Sequence, residues 1–250
     1  MRILLTNDDG INADGLRALQ AVLLALLPAP EIFVAAPQEE RSAASHSISL
    51  RKGVRCEQVG PRHWAVDGSP ADSVILALSQ LLVEPPDLVI SGINHGNNLG
   101  KNIHYSGTVS AAAEGVLNGI PSMAVSVAGR GVYDFRPSAR LTAALVERMA
   151  AHPIPCGHLL NVNVPIVWSD GVRPTRAYRH LARTQLIPLE GKEGFWFNER
   201  VDYQNVPSDA DYLAVNEGSA SVSLEEVYAA GDAGQAGYLA KLDLGSLHSA

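Results

Sequence analysis

The sequence predicts an α/β protein with a parallel sheet and a β-rich C-terminal extension. Three observations carry that prediction. The chain opens strand, helix, strand, a βαβ unit whose strands run parallel. The alternation then continues from Met1 to about Pro165. Beyond Pro165 the helical spacing fades and strands of mixed facing take over. The expected organisation is a core over residues 1–165 and an extension over residues 166–250, together one structural unit.

Each element has its own signal. Arg2 to Thr6 is a short apolar run and reads as a buried strand. Leu16, Leu19, Leu23, Leu26 and Leu27 recur at helical spacing, closed by Pro28 and Pro30. Glu31 to Ala36 is the second strand, stopped by Pro37. Ile48 to Arg51 and Val54 to Val59 flank Lys52-Gly53, a hairpin signal, and His63 to Val66 adds a strand. Pro70 to Leu82 reads as a helix, with Ser69 as N-cap and proline at its first position. Strands at Asp87–Ser91, Ser122–Val127 and His158–Val164 alternate with helices at Thr108–Asn118 and Ser138–Met149. In the extension, Arg173–Arg183, Gly194–Tyr203 and Ala220–Leu224 read as strands and Asp211–Val215 as a short helical turn. Glu225–Ala250 reads as a helix plus a loose tail.

Composition narrows the partners. The chain is 46% hydrophobic and 18% charged, ordinary for a globular domain with a sizeable core. A net charge of -7 speaks against a nucleic acid duplex or an anionic membrane as partner, while leaving room for a local cationic pocket. No apolar stretch is long enough to span a bilayer, and Ile3 to Leu5 behind Arg2 is too short for a signal-peptide core. Cys56 and Cys156 stand far apart with no CxxC spacing. Reduced thiols and a cytoplasmic location are the expectation.

The chemistry concentrates in loops that follow strands. Asn7-Asp8-Asp9-Gly10 sets two carboxylates side by side at the end of the first strand. Neighbouring side chains in a strand point to opposite faces, so Asp8 and Asp9 converge only where the chain has left the strand, and Gly10 permits that turn. Two readings fit. One aspartate caps the helix near Asp14 and the other is solvated; or the pair holds a hard divalent cation that cancels its repulsion. Three further loops bear on this. Pro37–Ser47 is rich in hydroxyls and carries His46; Ser91–Gly100 concentrates glycines and asparagines, whose amide oxygens are neutral hard ligands. His104–Gly115 places Ser106, Gly107 and Thr108 at a helix start, where unpaired N–H groups and the dipole favour an anion and where Ser106 or Thr108 also suits a plain N-cap. Neither GxxxxGK[ST] nor a GxGxxG after the first strand is present. Acids, hydroxyls, amides and a helix N-terminus at one end of one parallel sheet suit a metal beside a phosphate.

These stretches resemble a known family. RILLTNDDG, RSAAS, DLVISGINHGNNLG and YSGTVSAAAEG are similar to the SurE family, stationary-phase survival proteins that act as nucleoside 5'-(3'-)monophosphate phosphatases. The likeness continues in GIPSMAVS, LNVNVP and DYLAVNEGSASVSL, to about Leu224. It implies a Rossmann-like three-layer αβα core and an extension that helps build homodimers or homotetramers. It also implies a divalent metal held by Asp8, Asp9, Ser42 and Asn94. The family's usual Ala-Pro-Gly is Ala13-Asp14-Gly15 here, and its Thr-Pro-Leu is Ser223-Leu224-Glu225.

The expected activity is therefore 5'-nucleotidase: metal-dependent hydrolysis of nucleoside 5'-monophosphates, with Asp8 and Asp9 at the cation and Asn98, Ser106, Gly107 and Thr108 cradling phosphate. An all-oxygen ligand set suits Mg²⁺ or Mn²⁺ better than Zn²⁺. Two rivals remain at this stage: an aspartyl-phosphate enzyme using Asp8, and a nucleotide-sensing protein without turnover. Leu186, Ile187, Phe195, Trp196 and Phe197 form an apolar group outside the α/β repeat and are candidates for a subunit contact.

Overall fold

The structure is a computed structural model, and it describes residues 1–191, 193–203 and 206–228. The first strand, β1 (Arg2–Thr6), is followed by α1 (Asp14–Leu26) and β2 (Glu31–Pro37). A two-stranded edge, β3 (Cys56–Gly60) and β4 (His63–Val66), precedes α2 (Pro70–Leu76), whose last residues pass into a π-helical turn, Ala77–Leu81. Then come β5 (Leu88–His95), a 3₁₀ turn at Gly100–His104, α3 (Gly107–Leu117), β6 (Ser122–Ala128), α4 (Arg136–Ala151) and β7 (His158–Pro165). The extension holds β8 (Asp170–Thr175), β9 (Ala182–Pro188), β10 (Phe195–Val201), α5 (Asp211–Asn216) and β11 (Ser219–Glu226).

One sheet runs in the order β3-β4-β2-β1-β5-β6-β7-β11-β8. From β4 to β7 every neighbour is parallel, as the βαβ signal requires. The alternation of side chains along β1 sorts the layers. Ile3 and Leu5 pack with Leu16, Leu19 and Leu23 of α1 and with Ala139 and Val146 of α4. Leu4, between them, faces Val74 of α2 and Ala111 of α3. Each leucine so buried contributes roughly 1.5–3 kcal/mol. Helices on both faces of a mostly parallel sheet make the three-layer, Rossmann-like α/β architecture.

Two strands of the extension complete this sheet. β11 pairs antiparallel with β7, and β8 pairs parallel with β11. β9 and β10 form a separate antiparallel hairpin.

Four expectations are corrected. Ile48–Arg51 forms no strand, and the hairpin turns at Pro61-Arg62, joining β3 to β4. The reason is local competition: Ser47 and Ser49 are bonded to the start of α2, through Ser69 Oγ to the Ser47 carbonyl at 2.6 Å and Ser49 N–H to Asp72 Oδ1 at 2.9 Å. Ser91–Gly100 is a loop only in its second half, because β5 runs on to His95 past a register shift between Ser91 and Asn94. Gly92 makes that possible: at φ 136°, with a would-be Cβ 2.3 Å from the Val125 carbonyl, it lets the irregular strand stay against β6. The expected strand Arg173–Arg183 is the end of β8, a loop and the start of β9, with Arg176 drawn aside to Asp209 and Ala210. The helix expected from Glu225 does not begin there, since Glu225 and Glu226 close β11; its remainder, 229–250, lies outside the described residues.

Candidate metal and phosphate site

β1 and β5 are neighbours, yet the helices that follow them leave on opposite faces of the sheet. Such a switch point opens a crevice at the carboxyl ends of the strands. The Asn7–Gly10 loop lies there. Asn7 folds it, donating from Nδ2 to the Gly10 carbonyl at 3.0 Å and accepting the Gly10 N–H at 3.1 Å. Gly10 has φ 103°, a conformation that an L side chain resists. The loop's other side is pinned by the Arg41 N–H, 2.7 Å from the Asp8 carbonyl.

Neither aspartate caps α1. Its N-cap is Ala13, with no side-chain hydrogen bond, and Asp8 is only 5% exposed. The capping-and-solvation reading is thereby removed. Asp8 instead sits against the start of α3. Thr108 Oγ1 donates to Asp8 Oδ1 at 2.5 Å, and the Thr108 N–H donates as well. Gly107 leaves the space: a Cβ there would lie 2.9 Å from both Cβ and Oδ2 of Asp8. Ser106 is the true N-cap, its oxygen accepting the Val109 N–H at 3.1 Å. Thr108 is therefore free of capping and serves the carboxylate.

Asp9 turns toward the end of β5. Its Oδ1 lies 2.6 Å from His95 Nδ1, and the His95 N–H donates to it too. Burial pushes the Asp8 carboxyl above the usual carboxylate range. Burial first, and then the charge of Asp8, raise Asp9 to about 6. Glu40 adds further negative charge. Two adjacent buried acids, one raising the other, are an unfavourable arrangement for a bare protein and a favourable one for a bound cation. The donor set therefore fits a divalent metal.

The remaining expected residues fall as follows. Ser42 Oγ donates to Glu40 Oε1 at 2.5 Å, and Glu40 in turn converges with Asp9 and His95, so Ser42 reaches the acids through Glu40. Asn94 ends β5 beside His95 and donates to the Gly96 carbonyl at 2.9 Å. Asn98 is buried: Nδ2 donates to Ser126 Oγ at 2.8 Å, its N–H donates to Asn163 Oδ1 at 2.8 Å, and its carbonyl accepts from Asn161 and Asn163. His46, singled out in the hydroxyl-rich loop, pairs with Glu114 at 2.9 Å.

Residues that sequence reasoning missed stand behind the site. His95 and Glu40 belong to the acidic cluster. From the extension, Asp211 Oδ2 accepts the Gly100 N–H at 2.6 Å and the Tyr212 hydroxyl donates to the Leu99 carbonyl at 3.1 Å. Asp211 is fully buried, which raises its carboxyl to about 6. The only hint in the sequence was the match of DYLAVNEG to the family, which carries no statement of what those residues touch.

Comparison with known proteins accords with this geometry. Residues 3–186 match the family described as survival protein SurE. A protein of Anaeromyxobacter dehalogenans named 5'-nucleotidase SurE is 43% identical over 213 residues, covering 83% of this chain and 82% of the relative. One of the same name from Thermosynechococcus vestitus is 41% identical over 235 residues, covering 86% and 88%. The crystal structure of the SurE protein from Aquifex aeolicus superposes with a TM-score of 0.86 at 31% identity, over 97% of this chain and all of that one.

Proposed function

The chain belongs to the SurE family, and from that premise we propose that it is a divalent-metal-dependent 5'-nucleotidase. It hydrolyses nucleoside 5'-monophosphates, and in this reading 3'-monophosphates as well, to nucleoside and phosphate. The observation that carries the reading is the buried Asp8–Asp9 pair at the β1/β5 switch point, set against the N-terminus of α3. The name 5'-nucleotidase borne by its relatives supports the substrate class.

Asp8 and Asp9 hold the cation, with Ser42 and Asn94 as further ligands, and Mg²⁺ or Mn²⁺ as the ion. The cation supplies positive charge to the phosphoryl oxygens and eases the activation of water. The protein's own groups do the rest. Thr108 fixes the orientation of Asp8 through its hydroxyl. The Ser106 hydroxyl, the Gly107 backbone and the α3 dipole face the phosphate, where negative charge is favoured. Asn98 acts through the loop that it ties to Ser126, Asn161 and Asn163. With both aspartates engaged, neither attacks phosphorus; water displaces the nucleoside in one step.

The same reading places the protein in the cytoplasm, where its exposed, unpaired Cys56 and Cys156 stay reduced. Among the described residues no helix is long and apolar enough to cross a membrane. It also makes the protein a homodimer or homotetramer. In the β9–β10 hairpin, Phe195, Trp196 and Phe197 are 56%, 67% and 81% exposed, a patch that a second copy would cover.

The test is phosphate release from a nucleoside 5'-monophosphate after chelation, with metal then restored. Activity should vanish and return. Asp8→Asn should cost roughly 10³-fold or more in turnover while circular dichroism stays that of the parent. Metal-independent turnover, or full turnover in the variant, would overturn the reading.

A further inference from the structure

The turn that launches α3 is held from outside the α/β core as well as from within it. Gly100–His104 is closed by the Asn102 N–H donating to the Leu99 carbonyl and the Tyr105 N–H to the Asn102 carbonyl, both at 3.0 Å, and it leads directly into the Ser106 cap. The loop after β2 grips its far end: Ser45 Oγ donates to the His104 carbonyl at 2.7 Å and the Ser45 N–H to the Tyr105 carbonyl at 3.1 Å. The β9–β10 hairpin grips its middle. Lys101 Nζ donates to Thr184 Oγ1 at 2.7 Å and lies 3.1 Å from Glu199 Oε1, while Asn102 Nδ2 donates to Glu199 Oε2 at 2.6 Å.

Thr184 and Glu199 stand directly opposite each other across the β9–β10 ladder, so one cross-strand pair closes on one lysine. Both oxygens of the carboxylate are used, one on a charge and one on an amide. An exposed ion pair would contribute little, but the Lys101 and Glu199 side chains are 21% and 32% exposed and the pair is one part of a bonded network. The hairpin is a sheet of its own, packed at its base through Ala182 and Val201 on Leu99 and Tyr212. Beyond that base, β10 borders a cavity of about 1000 Å³ that lies between it and the ends of β6 and β7. The clasp on Lys101 and Asn102 is thus where a free-standing element meets the approach to α3.

We propose that Glu199 is a positioning residue for phosphate ester hydrolysis: by holding Lys101 and Asn102 it fixes the turn from which α3 starts, and thereby where Ser106, Gly107 and Thr108 stand toward the phosphate and toward Asp8. The proposal rests on the reading of that helix start as the phosphate cradle. The lever is short. Asn102 stands four residues before Ser106, and Thr108 Oγ1 meets Asp8 Oδ1 at 2.5 Å, so a shift at the turn is passed on to the carboxylate. A displacement of ~1 Å in groups that orient a reacting centre costs up to ~10²-fold in rate. Lys101, a cation close in sequence to the cradle, has its ammonium on Thr184 and Glu199; it anchors the turn rather than meeting phosphate.

Steady-state kinetics of the metal-loaded protein on a nucleoside 5'-monophosphate, with inorganic phosphate as inhibitor, test this. Glu199→Ala should lower kcat about tenfold and raise the phosphate inhibition constant by a similar factor, while the thermal midpoint and the mass by light scattering stay those of the parent. Lys101→Met should give part of that loss, and the double variant no more than Glu199→Ala alone, because both act through one clasp. Three results overturn the proposal and leave the nucleotidase standing: the parent's kcat and phosphate inhibition in Glu199→Ala, a loss that accompanies a fall in mass, or losses that multiply in the double variant. A parent that releases no phosphate overturns the nucleotidase reading and this proposal with it.

Discussion

The crevice at the end of β1 and the extension beyond β7 solve different problems with the same currency of buried polar groups. In the crevice, Asp8 and Asp9 are buried with like charges side by side, and Thr108 and His95 soften the conflict. In the extension, Asp211 is buried just as fully, yet it is spent on backbone N–H groups of Gly100 and Tyr212. One carboxylate cluster is left wanting a cation; the other is saturated and holds a loop. The lesson is that burial of an acid does not by itself mark a reacting group. What distinguishes the two is the company: Asp9 has a second buried carboxylate beside it, whereas Asp211 is tied to backbone N–H groups.

That distinction can be broken or sharpened by substitution. The largest effect is expected where the crevice is disturbed directly. Thr108→Val keeps the shape and removes the hydroxyl that orients Asp8. Because Ser106 caps α3, helix stability should change by only ~1–2 kcal/mol, while turnover falls about 10²-fold. Thermal unfolding and steady-state kinetics on one preparation separate the two quantities. A drop in stability with turnover intact would reduce Thr108 to a structural role.

Asp211→Asn should cost less turnover, under about tenfold, since an amide oxygen can still accept the Gly100 N–H. Its signature is in the pH dependence of stability. The Asp211 carboxyl rises from 3.8 unfolded to about 6 folded, so the native state binds the proton more tightly. The associated stability is fully present below about pH 4 and is lost as pH rises through about 6. The parent should therefore weaken between pH 4 and 7 relative to Asp211→Asn, by at most ~3 kcal/mol. Asp9 shifts in the same direction but is common to both proteins, so it cancels in the difference. Parallel curves would remove Asp211 from the account of the loop.

The smallest effect on chemistry belongs to the hairpin. Phe197→Ser combined with Trp196→Ser should lower the mass seen by light scattering from an oligomer to a monomer, with catalysis per site largely kept. A strictly monomeric parent at micromolar concentration would dismiss the subunit contact.

How much of this was legible in the sequence depended on distance along the chain. The Ser69 cap was readable because Ser69-Pro70 and Asp72 carry their capping box within four residues. The acid pair and the α3 start were readable because strand ends in a parallel sheet gather at one edge. The approach of His95 to Asp9 was not, because Gly92 and Gly96 make the end of β5 read as a loop and nothing local says that it continues beside β6. The false hairpin at Lys52-Gly53 had the same origin: turn chemistry was correct locally, but Ser69 and Asp72 claimed the preceding segment. Asp211 was beyond reach, since its partner Gly100 lies 111 residues away.

The central claim is that both aspartates are engaged by a cation and neither attacks phosphorus. A nucleophilic Asp8 would transfer the phosphoryl group twice, and two in-line displacements retain configuration. A single displacement by water inverts it. A nucleoside 5'-phosphorothioate made chiral at phosphorus with oxygen isotopes, hydrolysed in water carrying the third isotope, reads the outcome from the thiophosphate released. Inversion is the predicted result, and retention, or an acid-stable mass gain on the Asp8 peptide, would contradict the account.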